Sequence, residues 1–547
     1  MSPLAAPGRA VRPSLSGVVV VERADRLAVS VCGSLLAELG ATVLQVPGAR
    51  HDIGLTEAAR AKAARFTAAG KIPITLDLAQ EDAPAAWQRL VERADIVLIG
   101  FERPEDTGLL AREGHRRTVC ALSAFGADAP AGTPDGGETV LQAIGGMMAA
   151  TGMRGGAPER ANVPIVEMFT ALNAAVAILA ALRTGGRALL DIAAFDSAIA
   201  MLTTYASTVQ QGRAEGYRLG CGHHLCSPWN VYRAADGWIQ LCSTTDEQWH
   251  TILRLIGRDD LDADPRFAGG GARLTNAAAV DEVIGSWTMA RSAEEAVEVF
   301  LGAGLPTGRV RTVSQLIGDP DLSARGMVAR EDLAGRIELR PGSFLSTSPG
   351  APRAERGNSA PTDPDAVLAA HGPAAIRPDG TAPAGVKPLQ GIRVVEIGPY
   401  TAGPLAGRYL ADLGAEVIKV EPPGGESSRS WLPQFGGHSG YFANCNAGKA
   451  SVVLDLKSSP DRERFLDLVR TADVLAESLR PGALDKLRLG PDDLLRLMPG
   501  LIYCSLSGFG RAAGARPALD TVVQAEAGMM WLVGQGDRPQ RVGVSIA

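Results

Sequence analysis

The sequence predicts an α/β protein built on a doubly wound sheet, with the whole arrangement present twice and the second copy incomplete. Three observations predict it. A long internal repeat runs through the chain, each copy opens as strand, helix and parallel strand, and strand–helix alternation continues behind each opening.

The repeat comes first. GVVVVERADRLAVSVCGSLLAELGATVLQV from Gly17 is answered by GIRVVEIGPYTAGPLAGRYLADLGAEVIKV from Gly391, and 374 residues separate the two glycines. After small gaps, AGKIPITLDL from Ala69 matches AGKASVVLDL from Ala447, and ADIVLI from Ala94 matches ADVLAE from Ala472. ETVLQAIGGMMAATG from Glu138 matches DTVVQAEAGMMWLVG from Asp520. A period this long is a duplicated domain and not a solenoid unit.

Each copy opens on a β-branched run, Val18 to Val21 and Ile392 to Ile397, that leads into a turn. An amphipathic helix follows and ends at Leu39-Gly40-Ala41 or Leu413-Gly414-Ala415. A second strand comes next, Val43 to Val46 and Val417 to Val420. This spacing makes a βαβ unit. Copy two continues with a strand at Ser451 to Leu456, a helix from Ser459 to Thr471 and a strand at Val474 to Ala476. Val176 to Leu182, with its flanks, is a run of apolar helix formers and reads as a buried helix. From about Thr347 to Lys387 the chain is rich in Pro, Gly, Ala and Ser, and reads as a linker with one short helix at Pro364 to His371.

Length and composition bound the function. At 547 residues the chain holds several domains. Its formal net charge of -6 supplies no basic field for nucleic acid or an anionic membrane. No run of about 18 apolar residues reads as a membrane span, and the start lacks the apolar core of a signal peptide. Seven cysteines in a chain this long fit a reducing, cytoplasmic setting and not a disulfide framework.

Few motifs carry chemistry. The turn from Gly398 to Gly407 follows a strand and opens a helix, a place suited to phosphate contact, but it lacks the G-x-G-x-x-G spacing. A tight turn with close helix–sheet packing explains it equally well. In copy one that turn is Arg23-Ala24-Asp25-Arg26-Leu27-Ala28, without the glycines, so copy two is the better binder if this turn holds a ligand. CGHHLC, Cys221 to Cys226, offers four potential zinc ligands, but structural zinc sites draw ligand pairs from separated segments. A loop reading is favoured and no metal is expected. No nucleophile elbow, P-loop or H-E-x-x-H occurs, which leaves carboxylates as the candidate reactive groups.

These segments resemble the family III CoA-transferases, which include formyl-CoA transferase, carnitine CoA-transferase and the α-methylacyl-CoA racemases. In copy two the resemblance rests on LQGIRVVEIGPYTAGPLAGRYLADLGAEVIKVEPPGGESSR, NAGKASVVLDLK, ESLRPGALDKLRLGPDDL, LIYCSLSGFG and RPALDTVVQAEAGMM. In copy one it covers VPIVEMFTALNAAVAILAALRTGGRALLDIAAFDSAIAML, YRAADGWIQL, DPRFA, AGLPTGRVRTVSQLIGDP and ARGMV. It implies a Rossmann-like large domain plus a small α+β domain, in chains that interlock in pairs. Copy one then spans 13–346, with a large domain at about 13–215, a small domain at about 225–315 and a returning segment at about 315–346. The linker is 347–387, and 388–547 is the N-terminal part of a second large domain.

The resemblance also implies a mechanism. An aspartate attacks an acyl-CoA thioester, a mixed anhydride and an enzyme–CoA thioester follow, and an acceptor carboxylate takes the CoA. The substrates are then an acyl-CoA and a small carboxylic acid. In copy one Glu167, after Val163-Pro164-Ile165-Val166, stands where the family has its aspartate. It is one methylene longer, and a misplacement of about 1 Å costs on the order of 100-fold. Copy one therefore reads as degenerate, and Glu167 equally reads as a carboxylate at a helix N-terminus. In copy two Thr401 matches a CoA-contacting turn, Arg480 and Lys486 match basic positions near the CoA phosphates, and Asp520 an acidic position near the reacting centre. Surface charge is the competing reading of Arg480 and Lys486. Glu138 takes the place of Asp520 in copy one.

The racemase branch needs a histidine before Asp520, where this chain has Leu519, and Gly137 in copy one, so transfer is favoured over racemisation. A non-catalytic CoA-binding half is the third reading. Partners are either a second chain in a homodimer or the two copies pairing within one chain.

PQRVGVSIA, Pro539 to Ala547, aligns with PERANVPIV, Pro158 to Val166, so the residue expected to be copy two's nucleophile follows Ala547. The native gene product is expected to be longer than this sequence. Intact mass of the native protein tests this, and a stop codon after Ala547 would sink it.

Overall fold

The structure, a computed structural model, describes residues 14–48, 67–76, 83–100, 117–130, 133, 136–202, 205, 218–333, 336–341, 362–364, 366, 386–431 and 434–544. Most of the expected linker, with its short helix, lies outside the described residues, as do the last three residues of the PQRVGVSIA segment. The chain divides into two compact units. One comprises Met1–Gly145, Pro164–Ala198 and Ile317–Pro388. The other comprises Gly146–Val163, Ile199–Leu316 and Leu389–Ala547, so it joins the second copy to parts of the first.

The first unit is organised on a parallel sheet of six strands: β1 (Val19–Ala24), β2 (Thr42–Pro47), β3 (Ile72–Pro73), β4 (Ile96–Gly100), β5 (Thr118–Ser123) and β6 (Ala188–Ala193). Their spatial order is β3-β2-β1-β4-β5-β6, and every pairing is parallel. This is the doubly wound order whose direction reverses between β1 and β4. Successive strand residues are buried on opposite faces, because helices cover both. Val20, Ile96, Leu98, Cys120 and Leu122 share a core with α1 (Leu27–Glu38), while Val19, Val21, Val97, Ile99 and Val119 face the opposite core, which includes Leu90 of α2 (Ala83–Arg93).

After α3 (Glu138–Ile144) comes α4 (Ile165–Arg183), the apolar run expected to be a buried helix. Only one face is buried: Ala171, Ala174, Ala175 and Ile178 join the α1 core. Met168, Leu172, Val176 and Leu179, spaced every three or four residues, are 36–46% exposed. By length and composition α4 could cross a membrane, in contrast to the expectation of no such run. It carries Glu167 buried in its first turn and packs its alanine face on α1.

The second unit begins with an antiparallel three-stranded sheet, β7 (Trp229–Arg233), β8 (Trp238–Cys242) and β9 (Thr307–Arg309), in that order. Its core brings Tyr232, Ile239 and Leu241 against α5 (Asp246–Ile256), α6 (Ala277–Thr288) and α7 (Ala293–Gly302). Thr245 caps α5, and Ser292 with Glu295 forms a reciprocal cap on α7.

The same unit holds a parallel sheet of five strands: β10 (Arg393–Ile397), β11 (Glu416–Glu421), β12 (Ala450–Val453), β13 (Val474–Glu477) and β14 (Ile502–Ser505). Their order, β12-β11-β10-β13-β14, repeats the first five strands of the other sheet. The helices α8 (Ala402–Asp412) and α9 (Ser459–Arg470) match the sequence expectation within a residue or two. The strand expected at Ser451 to Leu456 is shorter, since β12 pairs only with β11, up to Glu421↔Val453.

Phe300 is fully buried in the α7 core. Phe300→Ala is expected to lower stability by about 3–5 kcal/mol, read as a lower urea midpoint. A loss under about 1 kcal/mol would contradict the packing described.

Candidate functional site

The first strand-to-helix turn of each sheet is built over a buried ion pair. In the second sheet Glu396, mid-strand in β10, accepts from Lys449 Nζ at 2.6 Å and Lys419 Nζ at 3.1 Å. Lys449 also donates to Pro404 O at 2.7 Å and Asn446 Oδ1 at 2.9 Å. Burial lowers the Lys449 pKa, and Glu396 opposes that shift. In the first sheet Glu22 takes the same place, accepting from Lys71 Nζ at 2.7 and 2.8 Å and Gln45 Nε2 at 2.6 Å. The helix above must approach closely. A Cβ at Gly407 would lie 3.1 Å from Glu396 and Lys449, and one at Gly33 would lie 1.7 Å from Glu22. Those glycines are equivalent in the repeat, so the GVVVVER/GIRVVEI strand, the helix glycine and the AGK lysine form one device.

Above the pair the two copies diverge. In copy two β10 runs into Gly398 and Tyr400, whose φ of 71° is left-handed. A side chain at Gly398 would meet Ser478 Oγ at 2.0 Å. The Tyr400 amide donates to Glu426 Oε1 at 2.9 Å, and its ring stacks on Trp431 with centroids 5.3 Å apart. Thr401 precedes α8 and shares a hydrogen bond with the Tyr441 hydroxyl.

A cavity of about 500 Å³ opens here, at the carboxyl ends of β10, β11 and β13. Gly398, Tyr400, Lys419, Lys457, Leu454 and Leu484 are among its walls. Lys419 also donates to Gly398 O at 2.9 Å and lies 2.8 Å from Glu426. Glu421 is paired with Arg429 at 2.6 and 2.7 Å. Burial raises the Glu421 pKa, but Arg429, Ser451 and the Glu426 amide outweigh it and hold it down at about 2. The walls are largely apolar and carry both signs of charge, Lys419 and Lys457 with Glu421, Glu426 and Asp455, at a topological switch point where doubly wound sheets bind ligands.

In copy one Arg23 pairs with Asp25 and donates to Gly100 O at 2.9 Å, while Arg26 bonds Gly136 O at 3.3 Å. The charged side chains of this turn, which stand opposite Ile397, Pro399 and Tyr400 of copy two, are bound to one another and to neighbouring carbonyls.

Glu167 is buried and fully engaged. One carboxylate oxygen accepts from Arg26 Nη2, and the other accepts from the Ala28 amide at the start of α1, at 2.9 Å. Glu138 lies beside it and accepts from the Val166 and Glu167 amides at 3.0 Å each. Burial raises the Glu138 pKa, against the bonds from Gln142 and those amides. The two glutamates tie α4 to α1 and α3.

In copy two Asp520 opens α10 (Asp520–Glu526) and accepts from Gln524 Nε2 at 2.9 Å, as Glu138 does from Gln142 at 2.7 Å. Leu519 precedes it at the helix start. The next residue, Thr521, accepts from Trp229 Nε1 at 2.8 Å and contacts Cys242 Sγ at 3.3 Å. Arg480 is exposed and donates to Gly304 O at 3.2 Å; Lys486 is exposed. The cavity is walled by Leu479, Ala483, Leu484 and Leu487 of that segment, so neither cation is in its wall. Lys419 and Lys457 are the cavity lysines that sequence reading did not single out, although both lie in the repeated EVIKV and SVVLDLK segments.

The CGHHLC loop forms an aromatic stack. His223 lies 4.3 Å from Trp229 and 4.6 Å from His224, and His224 lies 4.8 Å from Tyr205. Cys221 Sγ donates to Pro539 O at 3.5 Å. Burial lowers the pKa of both histidines, that of His224 to about 3.

Removing Arg26 would strand a buried carboxylate. Arg26→Ala is expected to cost about 3–5 kcal/mol of unfolding free energy, and paired replacement by Arg26→Met and Glu167→Leu much less. Denaturant titration reads both; an Arg26→Ala cost near zero would mean that Glu167 is not held by the arginine.

Residues 15–359 and 389–547 match CoA-transferase family III. A probable fatty acyl-CoA transferase of Mycobacterium tuberculosis is 51% identical over 148 residues, 26% of this chain and 38% of that protein. The acetyl-CoA:oxalate CoA-transferase of Acetobacter aceti is 46% identical over 168 residues, 30% of this chain and 43% of that one. This chain thus spans well under half the length of these relatives. Succinyl-CoA–D-citramalate CoA-transferase of Chloroflexus aurantiacus is 29% identical over 370 residues, 62% of this chain and 92% of that protein. A solved CAIB/BAIF family protein from Brucella suis superposes with a TM-score of 0.55 at 26% identity, covering 66% of this chain and 99% of that one. With both copies matched, the chain belongs to CoA-transferase family III.

Proposed function

We propose that this protein transfers CoA from an acyl-CoA to a carboxylic acid, and that copy two holds the CoA while copy one is a structural partner. The observation that carries the division of labour is the contrast between the two strand-to-helix turns. Copy two keeps the glycine turn over an open cavity with Lys419 and Lys457 in its wall. Copy one has Arg23 and Arg26 bonded within the equivalent turn, and Glu167 bonded at both oxygens. The lysines suit a polyanionic cofactor; Tyr400 is in the cavity wall, and Thr401 follows it in the turn without being part of the wall. Arg480 and Lys486 stand on the segment flanking the cavity and would meet phosphates outside it. Relatives named for transfer to oxalate and D-citramalate support small carboxylic acids as acceptors.

The chemistry proposed is stepwise. A carboxylate oxygen attacks the thioester carbonyl, the C–S bond breaks, and CoA leaves as thiolate. The thiolate then attacks the enzyme-side carbonyl of the anhydride and releases the donor acid, leaving an enzyme–CoA thioester. The acceptor carboxylate attacks that thioester, and the thiolate returns through a second anhydride to the new acyl group. Every displacement needs a free carboxylate, so Glu167, held by Arg26, is assigned a structural role. Asp520 is assigned to the reacting centre, hydrogen-bonded to Gln524. Racemisation needs a proton carrier before it, and Leu519 cannot be one. The pairing of copies within the chain is favoured by the second unit, which combines residues from both.

Titration calorimetry with CoA is expected to show binding that Lys419→Ala or Lys457→Ala weakens about 10- to 100-fold, and that Glu167→Gln leaves unchanged. Absence of CoA binding, or a requirement for Glu167, would overturn the assignment. With acyl-CoA and acceptor acid, the native full-length protein should move label between acids without exchange of the α-proton. Deuterium uptake at the α-carbon without CoA exchange would favour the racemase reading, and CoA binding without turnover a binding half.

A further inference from the structure

Gln524 is fully buried on α10, and both ends of its carboxamide are engaged. Its Nε2 donates to Asp520 Oδ2 at 2.9 Å, one turn back on the helix, and reaches Val544 O at 3.5 Å. Its Oε1 accepts from the Val542 amide at 3.0 Å. The next amide, that of Gly543, donates to Thr151 Oγ1 at 3.0 Å, so two consecutive amides of this segment are held by buried side chains. The carboxamide cannot turn over. Reversed, its oxygen would face the Asp520 carboxylate and a carbonyl, and its N–H would face the Val542 amide. Copy one carries the same pair: Gln142 is buried and donates to Glu138 Oε1 at 2.7 Å. The carboxylate so aimed accepts from the Val166 and Glu167 amides, at the start of the helix that holds the position matched to the family nucleophile.

We propose that Gln524 is a positioning residue for the transfer: one rigid carboxamide aims the Asp520 carboxylate and ties it to the segment 542–544. The inference rests on the transferase reading above, in which Asp520 belongs to the reacting centre. The absence of charge on the donor matters. In copy one the Arg26 guanidinium pairs with Glu167 and neutralises the carboxylate it holds. A carboxamide orients a carboxylate and leaves its charge in place. It also has no proton to gain or lose in the working pH range, so the orientation it sets does not change with pH. A reacting group misplaced by about 1 Å can lose on the order of 100-fold in rate, and that is the scale of what Gln524 secures.

The test is the pH profile of kcat for CoA transfer by the native full-length protein. Gln524→Glu keeps the shape and the acceptor for the Val542 amide, but it replaces a permanent donor by a carboxyl group. While the two facing carboxyls share a proton, that proton donates to Asp520 as the amide did. As pH rises it leaves, and two like charges face each other. The variant's kcat should follow that of the unmodified protein at acid pH and fall about 10- to 100-fold below it as pH rises, the worth of a charge-assisted hydrogen bond. CoA affinity by calorimetry should not change over the same range, because Gln524 is not in the cavity wall. Since a buried carboxyl can prevent folding, Gln524→Met is the second arm. It keeps the length of the side chain with neither hydrogen bond, and should lose the same factor in kcat at every pH. An unaltered kcat in either variant, or CoA affinity that falls in step with kcat, would overturn the proposal. Absence of transfer by the unmodified protein would instead overturn the transferase reading on which it stands.

Discussion

A glutamate in the middle of the first strand, neutralised by a lysine delivered from beside the third, sits beneath the leading turn of both sheets. Glu22 with Lys71 and Glu396 with Lys449 are buried pairs in which the lysine also donates to a carbonyl of the overlying helix, Ser30 O or Pro404 O. Burying two charges is costly unless geometry and extra hydrogen bonds compensate. Here they do, and the consequence is positional. The pair sits close under the helix start, where a Cβ would lie 1.7 Å from Glu22 at Gly33 and 3.1 Å from Glu396 at Gly407, so glycine leaves it room. The turn between strand and helix is thereby held at the switch point of the sheet, where doubly wound proteins bind ligands.

From that shared foundation the copies specialise by what fills the space above it. Gln45 in copy one corresponds to Lys419 in copy two, so the second copy gains a cation at the cavity floor. Arg26 in copy one corresponds to Tyr400, so the first gains a cation that captures Glu167. A carboxylate caught between a guanidinium and a helix amide is well suited to hold α4 against α1. It is poorly suited to attack a thioester. Those two differences place a lysine in the cavity wall of copy two and an arginine on Glu167 in copy one.

The duplicated βαβ openings were legible because strand and helix periodicities are strong and each is confirmed by its partner copy. The strand order was not written in any one motif, but follows once right-handed crossovers connect parallel strands. The buried face of α4 was overestimated from composition. Its apolar residues include an alanine stripe that packs and a Met168-Leu172-Val176-Leu179 stripe that does not, and apolar composition is blind to that difference. At the site, Glu167 was identified by position and Glu138 by its match to Asp520. That Arg26 would seize Glu167 was not readable, since a residue in a turn gives no sign of a partner 141 positions away.

The central claim is that CoA engages the turn of copy two and not that of copy one. Hydrogen–deuterium exchange of the full chain with and without CoA measures this directly. The account predicts slowed exchange in the segments around Gly398 to Gly403, Leu454 to Lys457 and Leu479 to Leu487, with no change around Glu22 to Ala28. Protection at Glu22 to Ala28, or none at the copy-two segments, would contradict it.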